Sequence, residues 1–348
     1  MNKEKAAFCF QDNAFDLMRY WAAICVMLLH YTGYALHLSA ENSSFMHILR
    51  RVVSFFPGVV VLFSMSGFLI AASYERSKNR KEFFVKRILR MYPELWVCTI
   101  INIIVVCIFA YELLDKSIII WLVTQIFGIA NTPSCLNNFA TGSINGALWT
   151  IFVEIQLYVV LGVIYSKLKK LVNKEWYVFL GMLAVINISA GYIAEKMGGL
   201  PAKLLERVFL PYAIWLFIGV FCYVQREDIL PKLSKIFYSL LVLYIFIRLT
   251  PFAVPGYYAD IIVGVLCPLI TIGGGYKLPA IRFRCDITYG MFLYHWIVLN
   301  IIVHFKWMNY LPWIMTLLLY VGVTFLLAWL SWYFVGKKSK KVITKILE

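Results

Sequence analysis

Residues 14–35 read AFDLMRYWAAICVMLLHYTGYA, an apolar run broken by Asp16, Arg19 and His30. As a helix its 22 residues extend about 33 Å, enough to cross the roughly 30 Å hydrocarbon core of a bilayer. The basic start MNKEK ahead of it suggests a cleaved signal peptide, but the span carries Arg19 and His30 and lacks a small-residue cleavage site. A retained first membrane helix is therefore expected.

Working outward, comparable apolar spans recur at 52–72, 94–113, 147–165, 177–194, 208–225, 237–249, 257–276, 286–305 and 313–335. The stretch 118–130 is too short to cross comfortably and reads as a re-entrant or interfacial segment. Of the 348 residues 62% are hydrophobic and 15% charged, and the mean hydropathy is +0.77. A soluble domain has about 25% charged residues. The expected fold class is all-α: a polytopic transmembrane helix bundle of about ten transmembrane helices plus that one short segment. The whole chain, 1–348, forms one integral membrane domain, with a basic tail at 336–348. No fixed-period repeat or low-complexity linker divides it.

Lys and Arg concentrate in alternate loops: Lys3 and Lys5, then 76–90, 167–174, 226–235, 277–284 and 337–345 hold 24 of the 33. By the positive-inside rule these face the cytoplasm together with both termini, as in a multi-pass protein of a bacterial plasma membrane. The net charge of +15 thus belongs to loops facing anionic headgroups, and nucleic acid is not an expected partner. Eight cysteines, from Cys9 to Cys285, lack metal-ligand spacing and read as packing residues; no metal is expected.

An ionisable side chain in a lipid-embedded helix costs a few kcal/mol and so needs a partner or a task. Arg19 and His30 are eleven positions apart, which at 100° per residue returns them to one helix face, about 16 Å apart along the axis. A guanidinium near the inner end and an imidazole toward the outer end suit a long ligand with a phosphate head and a reactive tail, such as coenzyme A. Asp16 is placed to hold Arg19 as a local ion pair. In SKNRKEFFVKRILRMYP (77–93), Arg87 and Arg90 neighbour each other on a helix, and arginine forks match phosphate oxygens. The plainer alternatives are a snorkelling Arg19, a hydrogen-bonded core His30, and inner-face anchoring by Arg87 and Arg90.

In ALWTIFVEIQLYVVLGVIY (147–165), Glu154 lies about 10 Å below the outer end of its span, and His30 about 7–8 Å below its own. At similar depth, the carboxylate could orient the imidazole as a general base. His295, near mid-bilayer in DITYGMFLYHWIVL (286–299), and Trp149 are assigned to the acceptor side of the same cavity. Packing is the plainer reading for Trp149 and Tyr158, and a bond to a neighbouring helix for His295. Ser64, Ser66 and Gly67 in LFSMSGFLI (62–70) read as a close helix contact. The loop NTPSCLNNFATGSING (131–146), without Lys or Arg, is a candidate lip for an acceptor.

These segments resemble the acyltransferase type 3 membrane proteins, which modify polysaccharides, peptidoglycan and other glycans. FDLMRYWAAICVMLLH, LFSMSGFLI with KRILRMYP, ALWTIFVEIQLY, YAIWLFIGVF and ITYGMFLYHWIVL stand in family order from Phe15 to about Leu299. The resemblance implies an acyl-CoA donor, usually acetyl-CoA, and an acceptor hydroxyl on a cell-surface glycan or lipid-linked glycan. It carries the catalytic role to His30, an essential carboxylate to Glu154, and donor binding to Arg19, Arg87 and Arg90. The chain departs from the family pattern at WYFVGKKSKK (332–341), where relatives often show an acid and a proline. It stops at Glu348 without the extracytoplasmic esterase-like domain of some relatives, so transfer is expected to finish in the membrane domain or on a separate partner. Direct transfer and a transient acyl-enzyme both stay open. The rival readings are a transporter or flippase using His30, Glu154 and His295, and a non-enzymatic component of a glycan-assembly complex.

Overall fold

The computed structural model describes residues 12–39, 44–251 and 253–347; Lys3, Lys5 and Cys9 lie outside the described residues. Among the described residues there is no strand. The chain opens with α1 (Phe15–Leu38), the amphipathic α2 (Ser44–Phe55) and α3 (Gly58–Glu75), then α4 (Arg80–Phe109) and the short α5 (Ser117–Ile126). After a long loop come α6 (Leu148–Leu168), α7 (Asn173–Met197), α8 (Gly199–Leu205), α9 (Ala213–Val224), α10 (Arg226–Leu249) and α11 (Ile261–Lys277). The last four are α12 (Thr288–His304), α13 (Trp307–Tyr310), α14 (Trp313–Ser331) and α15 (Lys337–Leu347).

Among the described residues, seven helical segments are long and apolar enough to cross a membrane: α1, α2 with α3, α4, α6, α7, α10, and α14 with its continuation. Three more apolar helices are shorter, α5, α9 with its leading turn, and α11. Each of the ten expected spans falls on a helix, with 286–305 on α12. The chain is a multi-pass membrane protein. Its outer faces suit lipid, as the stripe Ile100, Ile104 and Ile108 on α4 shows; each is more than half exposed.

Two boundaries differ from expectation. The basic stretch 77–93 and the span 94–113 are one helix, running unbroken through Pro93 and ending at Phe109. It starts where it does because the Asn79 side chain accepts from the Glu82 amide at 2.9 Å, while the Glu82 carboxylate accepts from the Lys78 amide at 2.9 Å. Likewise, the short span 237–249 is the second half of α10, whose first turn carries Glu227 and Asp228 at the positive end of the helix dipole.

Two helices form the interior. From Ala213 to Cys222 every residue of α9 is buried, and α12 is buried from Gly290 to Asn300, as expected of helices apolar on all sides. Between α3 and α9 the backbones touch. A β-carbon at Gly67 would fall on the Leu216 carbonyl, and one at Gly219 on that of Ser64. This seam fixes α3, whose other face carries Ser66 toward the cavity described next.

Candidate active site

A cavity of about 430 Å³ opens among α1, α3, α4, α6, α12 and α15. Arg19, Arg87 and Arg90 all line it, so the structure brings together the three arginines singled out in the sequence. The Arg19 guanidinium lies 3.1 Å from Asp286 and 3.4 Å from Asp16, and Arg90 approaches Asp286 at 3.8 Å. Asp286, in the loop leading into α12, thus ties two helices' cations together. Burial pushes its carboxyl upward, but Arg19, Arg90 and the Thr288 hydroxyl hold it below the ordinary value. Arg87 is different. Its Nη2 donates to the Ser73 hydroxyl at 2.9 Å, its Nε is buried without a partner, and no carboxylate pairs with it among the described residues.

Farther from the basic end, Glu154 lines the same cavity. One carboxylate oxygen accepts from the Ser66 hydroxyl at 2.5 Å and from the Tyr158 hydroxyl. This corrects two readings. Ser66 and Tyr158 hold a carboxylate rather than merely pack, and the expected pairing of Glu154 with His30 is not formed. Thr150, Ile151, Glu154 and Tyr158, three and four residues apart, give α6 one cavity face, and His30 does not line the cavity.

His30 meets α12 instead. Its ring lies 5.4 Å from His295 and 4.7 Å from Trp296, centroid to centroid. His295 is fully buried; its Nδ1 sits 3.1 Å from the Met291 carbonyl, which can only accept, so Nδ1 carries the hydrogen. Nε2 therefore keeps its lone pair, and nothing bonds to it among the described residues. One helical turn back, Phe292 lines the cavity and contacts His295 at 5.9 Å. His295 of the imidazole pair thus lies behind the lining residue Phe292.

A second hollow, of about 780 Å³, lies beside the loop 131–146. The loop 131–146 supplies Asn131, Thr132, Asn137, Ser143 and Asn145, and Trp149, Tyr212 and Tyr258 supply aromatic walls. Trp149 packs on Tyr212 at 5.1 Å and on Tyr258 at 5.7 Å, so it belongs to this hollow rather than to a cavity shared with His295. The loop is fastened to α12. Trp296 donates to the Ser143 carbonyl and the Thr141 hydroxyl, both at 3.1 Å, and a β-carbon at Gly146 would strike the Trp296 indole. Trp296 therefore touches both His30 and the loop residues Ser143 and Gly146 that line the second hollow.

The acyltransferase domain family matches residues 12–334, nearly the whole chain. The chain belongs to the acyltransferase type 3 family. It is 26% identical to nodulation protein 10 of Rhizobium leguminosarum bv. viciae, over 96% of this chain and 95% of that protein. It is 25% identical to an O-acetyl transferase of Shigella phage Sf6, over 94% of this chain and 96% of the relative. No solved structure matches. As an acyltransferase the protein needs an acyl donor and an acceptor.

Three residues of the candidate site carry no functional expectation from the sequence: Asp286, Ser66 and Trp296. Asp286 left a signal, being an acid at the basic end of a buried helix, where an unpaired carboxylate would be costly. Ser66 and Trp296 left none, since a serine in a small-residue run and a tryptophan in an apolar helix usually pack.

Proposed function

We propose that the protein transfers an acyl group, acetyl in our reading, from acyl-CoA to a hydroxyl of a cell-surface glycan or lipid-linked glycan. What supports this is a cavity lined by Arg19, Arg87 and Arg90, a second hollow lined by amides, hydroxyls and aromatic rings, and the contact of His30 with His295 and with Trp296, which is bonded to the loop of the second hollow. The phage relative, named an O-acetyl transferase, supports acetyl as the group and oxygen as its destination. Family membership favours an enzyme over the transporter and non-enzymatic alternatives.

In this reading the basic end faces the cytoplasm, and Arg19, Arg87 and Arg90 bind the donor's phosphates, Asp286 keeping Arg19 and Arg90 in register. The pantetheine arm runs along the cavity past Glu154, whose carboxylate presents an acceptor for an amide N–H. The acceptor glycan enters the second hollow from the other side of the membrane, its sugar faces against Trp149 and Tyr258. His30, beside His295, takes the proton of the acceptor hydroxyl as the acyl group leaves sulfur for oxygen, and the proton then returns to the thiolate. Phe292 and Trp296 are the two side chains that must yield for the reactants to meet at His30.

His30→Ala tests the proposal in membranes supplied with labelled acetyl-CoA. Turnover should fall by about 10²- to 10⁴-fold, the usual contribution of a general base, while the donor KM changes by less than about threefold. Acetylation at the wild-type rate would overturn the mechanism.

A further inference from the structure

The residues expected to be a basic tail are a wall of the first cavity. Residues 337–347 fold as α15, packed against α4 and joined to α14 by the wide π turn Trp332–Gly336. The turn is anchored on a buried carboxylate. The Ser331 hydroxyl donates to Glu94 at 2.8 Å, and a β-carbon at Gly336 would come within 2.5 Å of the same carboxylate. The Lys337 ammonium lies over the Trp332 and Tyr333 rings at 5.9 and 5.5 Å. So fixed, α15 turns one face to the cavity through Ser339, Lys340, Ile343 and Thr344, spaced by three and four. Lys338, Lys341 and Lys345 are absent from that lining.

Lys340 is the cation on that face. Among the described residues it has no ion-pair partner, although its charge is felt at Asp286. The cavity also holds Asp286, Glu94 and Glu154, but none of them lies within ion-pair distance of the Lys340 ammonium, which is therefore free to meet an entering anion.

We propose that Lys340 is a fourth cation of the donor site, contacting a phosphate of the bound acyl donor, with the Ser339 hydroxyl beside it as a second donor of hydrogen bonds. This rests on reading the cavity as the donor site. It makes the C-terminal helix part of the binding machinery rather than a topogenic tail.

The test is CoA binding by the full-length protein in nanodiscs, with acetyl-pantetheine as a probe lacking the nucleotide phosphates. Lys340→Ala should weaken CoA binding about tenfold, equivalent to about 1.4 kcal/mol. Lys340→Arg should stay within about twofold of wild type, and acetyl-pantetheine should bind both variants alike. A Lys338→Ala and Lys341→Ala double variant, altered off the cavity face, should bind CoA normally. Equal CoA affinity in Lys340→Ala and a binding-competent wild type overturns this inference alone, as does an equal loss in the double variant. If wild type binds no CoA, the donor-site reading falls with it.

Discussion

Arg87 offers the most discriminating perturbation, because its surroundings differ from those of the other two arginines. Arg19 already has two carboxylates within 3.4 Å, and Arg90, half exposed, shares one of them. Arg87 has no carboxylate partner among the described residues: its Nη2 meets the Ser73 hydroxyl, its guanidinium lies about 6 Å from the Phe83 and Tyr158 rings, and its buried Nε is unpartnered. Its fork is free to take a phosphate through two charge-assisted hydrogen bonds, each contributing about 1.5–3 kcal/mol. Taking the lower figure for a hydrated cavity, Arg87→Met should lose about 3 kcal/mol, or roughly 10²-fold in CoA affinity. Arg87→Lys keeps the charge without the fork and should lose about tenfold. Stability should move little: Arg87→Met removes the bond to Ser73 and the weak ring contacts but also a half-buried cation without a carboxylate partner, so Tm should stay close to wild type, as at sites where function opposes stability. Arg19→Met, by contrast, strips Asp16 of its partner and Asp286 of its nearer one and should lower Tm. The assay is CoA titration of purified variants in nanodiscs, with thermal unfolding on the same samples. If Arg87→Met bound CoA within about twofold of wild type, or unfolded well below it, the guanidinium would be a structural anchor and the reasoning would fail.

Asp286→Asn should reduce stability by about 1 kcal/mol, since the partly exposed ion pairs with Arg19 and Arg90 are lost. Because the folded-state pKa of Asp286 is depressed, its contribution is present above the unfolded value of about 3.9 and is lost as pH falls through the lower, folded value. The difference in Tm between wild type and variant should therefore hold steady from about pH 8 to about pH 5 and close only in stronger acid; closure between about pH 6 and pH 8 would mean another group titrates. Trp149→Ala removes an aromatic wall of the second hollow and should raise the acceptor KM by up to about tenfold with the donor KM unchanged, because ring contacts contribute about 0.5–1.5 kcal/mol. A change in donor KM instead would place Trp149 on the wrong side of His30.

Most of the fold was legible in composition, because a bilayer demands long apolar helices and the chain supplies them at regular intervals. What failed were two boundaries, and for a single reason. The spans 94–113 and 237–249 follow the apolar residues alone, yet the helices that hold them begin earlier and run through Pro93 and Pro231. A proline removes one backbone hydrogen bond. It does not overrule a cap such as the Asn79–Glu82 box, which decides where α4 begins. The role of residues 337–347 was illegible for a different reason: a lysine-rich tail and a lysine-rich cavity wall have the same sequence.

The misassigned partner of His30 shows what helix arithmetic can and cannot give. His30 and Glu154 were matched by depth, which is one coordinate; pairing also needs the rotation of each helix, and α6 turns Glu154 toward Ser66 while α1 turns His30 toward α12. Two coordinates were nonetheless available. Arg19 and His30 share a face about 16 Å apart, and Asp286 and His295 lie nine positions apart, about 13–14 Å on a helix. If the acid before α12 pairs with Arg19, two parallel helices bring His30 level with His295 without further adjustment. The structure shows both contacts, at 3.1 Å and at 5.4 Å between ring centroids. The ion pair at one end is thus matched in register to the imidazoles at the other, about three helical turns from Arg19 to His30.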